Sequence, residues 1–152
     1  MTKQRRTKGS IIEIKLNNGV FAYAQDVDAD ILFFDFFSDS PLNDFSILCN
    51  KKPLFFLGVY NDVVTSGKWK KVGKLPIKQE YQLTPFKFIQ DSLNPNNFEL
   101  YNPNTGEITK ATREQCVGLE CAAVWEAEHV EDRLRDYFDG KPNKWVEQIA
   151  IK

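Results

Sequence analysis

One histidine, one methionine and three cysteines are all that a chain of 152 residues contains of these types. A binuclear hydrolytic metal site draws on several histidines and carboxylates, and His129 alone falls short of it. Cys116 and Cys121 do not have zinc-finger spacing, and no second Cys or His pair completes four ligands. No metal and no cofactor is therefore expected. An odd set of irregularly spaced cysteines fits a reduced, cytoplasmic protein, with the three read as small buried apolar side chains. Long apolar runs are missing too. The longest candidates, Ile31–Phe37 and Leu54–Val59, are strand-length, well below the roughly 18 residues of a membrane span. Residues 1–8 are polar and basic with no apolar segment behind them, so they read as a flexible tail and not as a signal peptide. A net charge of −1 gives no surplus of base for a generic polyanion ligand, and direct nucleic-acid binding is not expected. No serine sits in a Gly-x-Ser-x-Gly elbow, and Gly67 and Gly73 lack the phosphate-loop pattern.

What is present is aromatic. Phe alone contributes 12 residues, enough for one core in a single domain over residues 9–152. Ile12, Ile14 and Leu16 alternate with Glu13 and Lys15, a half-buried strand. Asn17-Asn18-Gly19 is a turn, and Val20–Ala24 returns as the second hairpin arm. Ile31–Phe37 and Leu54–Val59 read as central strands buried on both faces, covered by a later helix and by aromatic loops. Lys68–Gly73 is a basic edge segment around Trp69. Pro85–Gln90, Phe98–Tyr101 and Glu107–Lys110 form a meander. Thr112 and Gln115 make a capping box. The best helix is Glu128–Phe138, with Val130, Leu134, Tyr137 and Phe138 on one stripe and Glu131 paired to Arg135. Lys144–Ile151 is expected to close the chain as a strand. The fold class is α+β: a mainly antiparallel sheet or partial barrel with one amphipathic helix near the C-terminus. The expected core includes Ile12, Ile14, Phe33, Phe55, Phe56, Leu134 and Phe138.

Charge is segregated along the chain. Residues 17–50 hold six aspartates and no Lys or Arg, residues 51–90 hold eight lysines, and residues 112–139 turn acidic again. Solubility and edge protection explain such blocks in part. The alternative is an acidic binding surface at Asp26, Asp28, Asp30, Asp39 and Asp44 that steers a basic partner. Asp35 is set apart because it lies within an apolar run. Charge reversal of Asp26, Asp28 and Asp30 is then expected to leave the fold intact. A second candidate face is the polar side of the helix: His129, Asp132, Arg133 and Asp136. The bland reading of that face is solvation.

Lys8–Ile12 (KGSII) leading into Gly19–Ala24 (GVFAYA), Thr65–Trp69 (TSGKW), Cys121–Trp125 (CAAVW) and Glu128–Trp145 (EHVEDRLRDYFDGKPNKW) carry a family resemblance. The chain resembles the immunity protein 26 family of bacterial polymorphic-toxin systems. The resemblance implies a cytosolic antitoxin that binds a cognate toxin domain; separately, the lack of a membrane-length apolar run leaves no membrane partner expected. The family is also labelled phosphotriesterase-like, which makes a small hydrolase the alternative; no family set of catalytic residues carries over.

Overall fold

In the computed structural model, which describes residues 3–152, the aromatic runs lie in the middle of a six-stranded sheet. Strands β1 (Ser10–Lys15) and β2 (Phe21–Asp26) pair antiparallel about Asn17-Asn18-Gly19, where Gly19 takes φ +84°. β3 (Ile31–Ser38) and β4 (Pro53–Val59) extend the antiparallel order. A one-turn helix, α1 (Asp62–Thr65), leads to β5 (Lys70–Lys74), the basic edge strand beside β1. On one face of this sheet lie Ile12, Ile14, Phe33 and Leu57, and on the other Ile11, Tyr23, Leu32 and Phe34. Each fully buried aliphatic or Phe side chain stabilises by roughly 2–3 kcal/mol. Burial on both faces holds only for the first half of β3. Asp35 and Phe37 are exposed, and Asp35 accepts a hydrogen bond from the Tyr137 hydroxyl at 3.3 Å.

The second sheet is the expected meander: β6 (Lys87–Gln90), β7 (Phe98–Tyr101) and β8 (Ile108–Ala111), all antiparallel. The Thr112–Gln115 capping box starts α2 (Arg113–Cys116). The chain then crosses between sheets. β9 (Glu120–Cys121) adds to β6 and β10 (Val124–Trp125) adds to β4, both in parallel. The orders are β10-β4-β3-β2-β1-β5 and β8-β7-β6-β9.

Helix α3 (Ala127–Phe138) covers the first face of the large sheet through Val130 and Leu134. The second face is covered by Phe45 and Leu48, on a 3-10 turn over Phe45–Asn50, and by Ile77 and Tyr81. Gly73 is needed there, because a Cβ would stand 2.8 Å from the Phe45 ring. Trp69 is 1% exposed, meets Phe33 edge-on at 5.8 Å, and its Nε1 donates to Glu131 at 2.9 Å.

Three further expectations are corrected. The closing segment is a helix, α4 (Lys144–Gln148): the Asn143 side chain accepts from Val146 N at 3.0 Å, and four-residue spacing puts Trp145 and Ile149 on one helical face. Glu131 serves Trp69, and Arg135 pairs instead with Asp132. Phe56 and Phe138 are only partly buried, at the cluster margins, whereas Ile12, Ile14, Phe33, Phe55 and Leu134 are buried. Within residues 1–8, the Gln4 side chain donates to Val64 O at 2.7 Å and Trp69 O at 2.8 Å and accepts from Lys71 N at 2.9 Å. Met1 and Thr2 lie outside the described residues.

Candidate binding cleft at the seam of the two sheets

The chain's crossing from β9 to β10 leaves a cleft of about 480 Å³ between the sheets. Ile31, Leu57, Gly58 and Val59 form one wall, Ile89, Tyr101 and Ile108 the other, and Ala122–Val124 run between them. The lining is mainly aliphatic. At its rim, on the edge strands β8 and β10, Ile108 is 51% and Val124 57% exposed.

The charged floor comes from the β2–β3 turn. Asp30 closes that turn, its carbonyl accepting from Val27 N at 3.1 Å. Its carboxylate oxygen Oδ2 lies 2.7 Å from Lys87 Nζ of β6, and both side chains are at most 5% exposed. The ammonium also donates to Phe56 O at 2.9 Å. The Lys87 ammonium is the one group that meets Oδ2 among the described residues. Burial pushes the Asp30 carboxyl above the ordinary aspartate range, and Lys87 opposes that rise. Beside this pair, Arg6 grips Asp26 with two bonds of 3.0 Å and also donates to Asn61 Oδ1 and Asp28 O. Asp28 N in turn donates to Asp26 Oδ1 at 3.0 Å, and Asp28 has φ +80°, the only positive φ at a non-glycine residue among those described.

The expected acidic surface is thus corrected in part. Asp26 and Asp30, 2% and 4% exposed, are buried inside the turn with cationic partners, because two aspartates in a tight connection satisfy its backbone and bind across to Arg6 and Lys87. Asp28, Asp39 and Asp44 are exposed, and Asp44 caps the 3-10 turn by accepting from Ser46 N at 3.0 Å. The structure does not gather the five into one surface patch.

The helix face is not a solvated one either. Arg133 makes a bidentate pair with Glu120 at 2.9 and 2.7 Å and lies over the Phe55 ring at 3.9 Å. His129 stacks on Trp145 at 3.6 Å, Asp132 accepts from Trp145 Nε1 at 3.0 Å, and Asp136 accepts from Asn143 at 2.9 Å. These polar groups hold α4 and β9 against α3. Among the described residues no three His, Cys, Asp or Glu side chains stand together as a metal site. Of the three cysteines expected to be buried, Cys116 is buried, Cys121 is part-exposed and Cys49 is exposed; burial raises the thiols of Cys116 and Cys121. No described helix is long and apolar enough to cross a membrane.

Sequence reasoning missed Arg6, Lys87, Ile108 and Val124. Gly58, which interrupts an apolar strand, gave no signal of them: a Cβ there would stand at ordinary contact distance, 3.6 Å from Asp30 Oδ1 and 3.5 Å from Ala123 O.

Fold and cleft together define an α+β domain of two small sheets with an aliphatic, charge-compensated recess at their seam. Residues 7–99 match the immunity protein 26 family, and the chain belongs to that family. The match takes in Lys8–Ile12, Gly19–Ala24 and Thr65–Trp69, whereas Cys121–Trp125 and Glu128–Trp145 lie beyond it. No curated protein and no solved structure matches the chain.

Proposed function

We propose that this chain is a cytoplasmic immunity protein that binds the cognate toxin domain of a bacterial polymorphic or contact-dependent toxin system and neutralises it by occupying its surface. Membership of the immunity protein 26 family carries this reading. A standard interface takes about 800 Å² from each partner, roughly a tenth of the 8,924 Å² that the chain exposes. The exposed Ile108 and Val124 beside a recess are the kind of apolar surface that interfaces use.

The test is co-expression with the toxin domain encoded beside this chain's gene. Growth is restored, the two proteins purify as a complex, and toxin activity is titrated away at one chain per toxin. Absence of both complex and rescue rejects the reading. Protection by far less than one equivalent would point to turnover instead of occlusion.

A further inference from the structure

We infer that the cleft between the sheets receives one neutral aromatic side chain, a tyrosine by preference, from the toxin domain; this rests on the proposed function. The first observation is the rim. Ile108 on β8 and Val124 on β10 belong to different sheets, yet both are more than half exposed and both line the same recess. Side chains of this type are covered in well-packed anchoring pockets, where a few buried aromatics dominate the affinity.

The second is size. At about 480 Å³ the recess falls within the range of roughly 300–1,000 Å³ typical of ligand pockets. It accommodates an aromatic ring between Leu57 and Val59 on one side and Tyr101 on the other.

The third is charge. Of the charged residues that line the recess, Lys87 is paired with Asp30, and Arg6 is paired with Asp26 behind it, so the two ion pairs cancel. An entering cation gains Asp30 but meets Lys87 and Arg6, and an entering anion meets the reverse. A neutral group pays neither penalty. Of the neutral aromatics, tyrosine alone carries a group that both donates and accepts at its tip. The floor offers a partner for each role: the Lys87 ammonium holds Asp30 Oδ2 and Phe56 O and, among the described residues, keeps one of its three donors for a phenol oxygen, while the Asp30 carboxylate, engaged at Oδ2 by Lys87 alone, has lone pairs left for a phenol proton. Both are more than nine-tenths buried, so a group reaches them only by entering the cleft.

The experiment titrates the ¹⁵N-labelled full chain with p-cresol, toluene, propylguanidinium and butyrate, side-chain analogues of the competing occupants. p-Cresol is expected to shift the amides of Gly58, Val59 and Ala122–Val124 saturably. It binds about three- to tenfold more tightly than toluene, the factor of one net hydrogen bond, and at least about tenfold more tightly than either charged probe. Ile108→Asp and Val124→Asp, at exposed positions that leave folding intact, weaken p-cresol and lower affinity for the toxin domain by on the order of 30-fold, the loss of one anchor. Cleft amides unmoved by p-cresol overturn the inference, and equal affinity for toluene overturns the choice of tyrosine. If the Ile108→Asp/Val124→Asp double variant holds the toxin domain as tightly as wild type, the inference fails alone. If wild type holds no toxin domain, the proposed function fails first.

Discussion

Lys87 and Asp30 meet across the seam of the two sheets at 2.7 Å, each almost wholly buried. No backbone ladder joins the two sheets, so this pair, with the Lys87 bond to Phe56 O, ties the small sheet to the large one beside the cleft. A pair in this setting offsets its own desolvation only while both members are present.

Asp30→Asn and Lys87→Met should each therefore destabilise by about 3–5 kcal/mol, because each strands or weakens a buried charge. Asp30→Asn/Lys87→Met should recover most of the loss. Burial raises the Asp30 carboxyl in the folded protein. Between the ordinary aspartate value near 3.9 and that raised value, the folded state holds the proton more firmly than the unfolded chain. Stability contributed by this carboxyl is thus present below the window and declines as pH rises through it. Asp30→Asn should remove that component of the slope. Urea denaturation at a series of pH values measures both effects, and a double variant no better than the singles would show that the pair is not coupled.

Arg133 should not tolerate lysine. It is 12% exposed on its side chain, grips Glu120 with two bonds and covers Phe55. A lysine keeps the charge but loses the planar fork. We expect Arg133→Lys to cost about 1–3 kcal/mol. The control is Lys68→Gln, whose Glu128 partner is largely exposed, at no more than about 1 kcal/mol. Chemical denaturation of the two variants side by side decides it.

Asp28 adopts φ +80° at the tip of the β2–β3 turn. Left-handed backbone costs a residue with a Cβ roughly 1–2 kcal/mol, somewhat less for Asp, and glycine nearly nothing. Asp28→Gly should raise the unfolding midpoint, and Asp28→Val should lower it. Thermal melts of the pair check the sign, and a lower midpoint for glycine would mean that the carboxylate does more for the turn than the strain costs.

The sheet was legible because its information is local: alternation in β1, the Asn-Asn-Gly turn, and apolar runs too short for helices. Helix α3 and the Thr112–Gln115 box were legible for the same reason. α4 was not, since Trp145, Ile149 and Ile151 satisfy a strand period nearly as well as a helical one, and the deciding group is the Asn143 cap. The cleft was hidden more deeply. Its floor joins Arg6, Asp30 and Lys87, with Asp26 behind Arg6, and no single-residue signal shows that Asp30 will find a lysine 57 positions away. An aspartate-rich stretch without bases looks like surface until its partners are found elsewhere in the chain.

That distinction redirects the test of the acidic stretch. Charge reversal at Asp26 or Asp30 buries a lysine against Arg6 or Lys87 and should unfold the protein, so loss of binding there would say nothing about contact. Asp28, Asp39 and Asp44 are the exposed members. Asparagine is the substitution to use: it tolerates the left-handed backbone at position 28, and at 44 it still accepts from Ser46 N and keeps the cap. The Asp28→Asn/Asp39→Asn/Asp44→Asn variant therefore removes three charges with the fold preserved. Against a basic toxin domain it should associate several-fold more slowly at low salt, with an unchanged dissociation rate and a flatter dependence on ionic strength, because steering acts over the Debye length of about 8–10 Å at physiological salt. Stopped-flow association at two salt concentrations reads this directly. An unchanged on-rate at low salt would remove these aspartates from recognition and leave the cleft to account for it without electrostatic help.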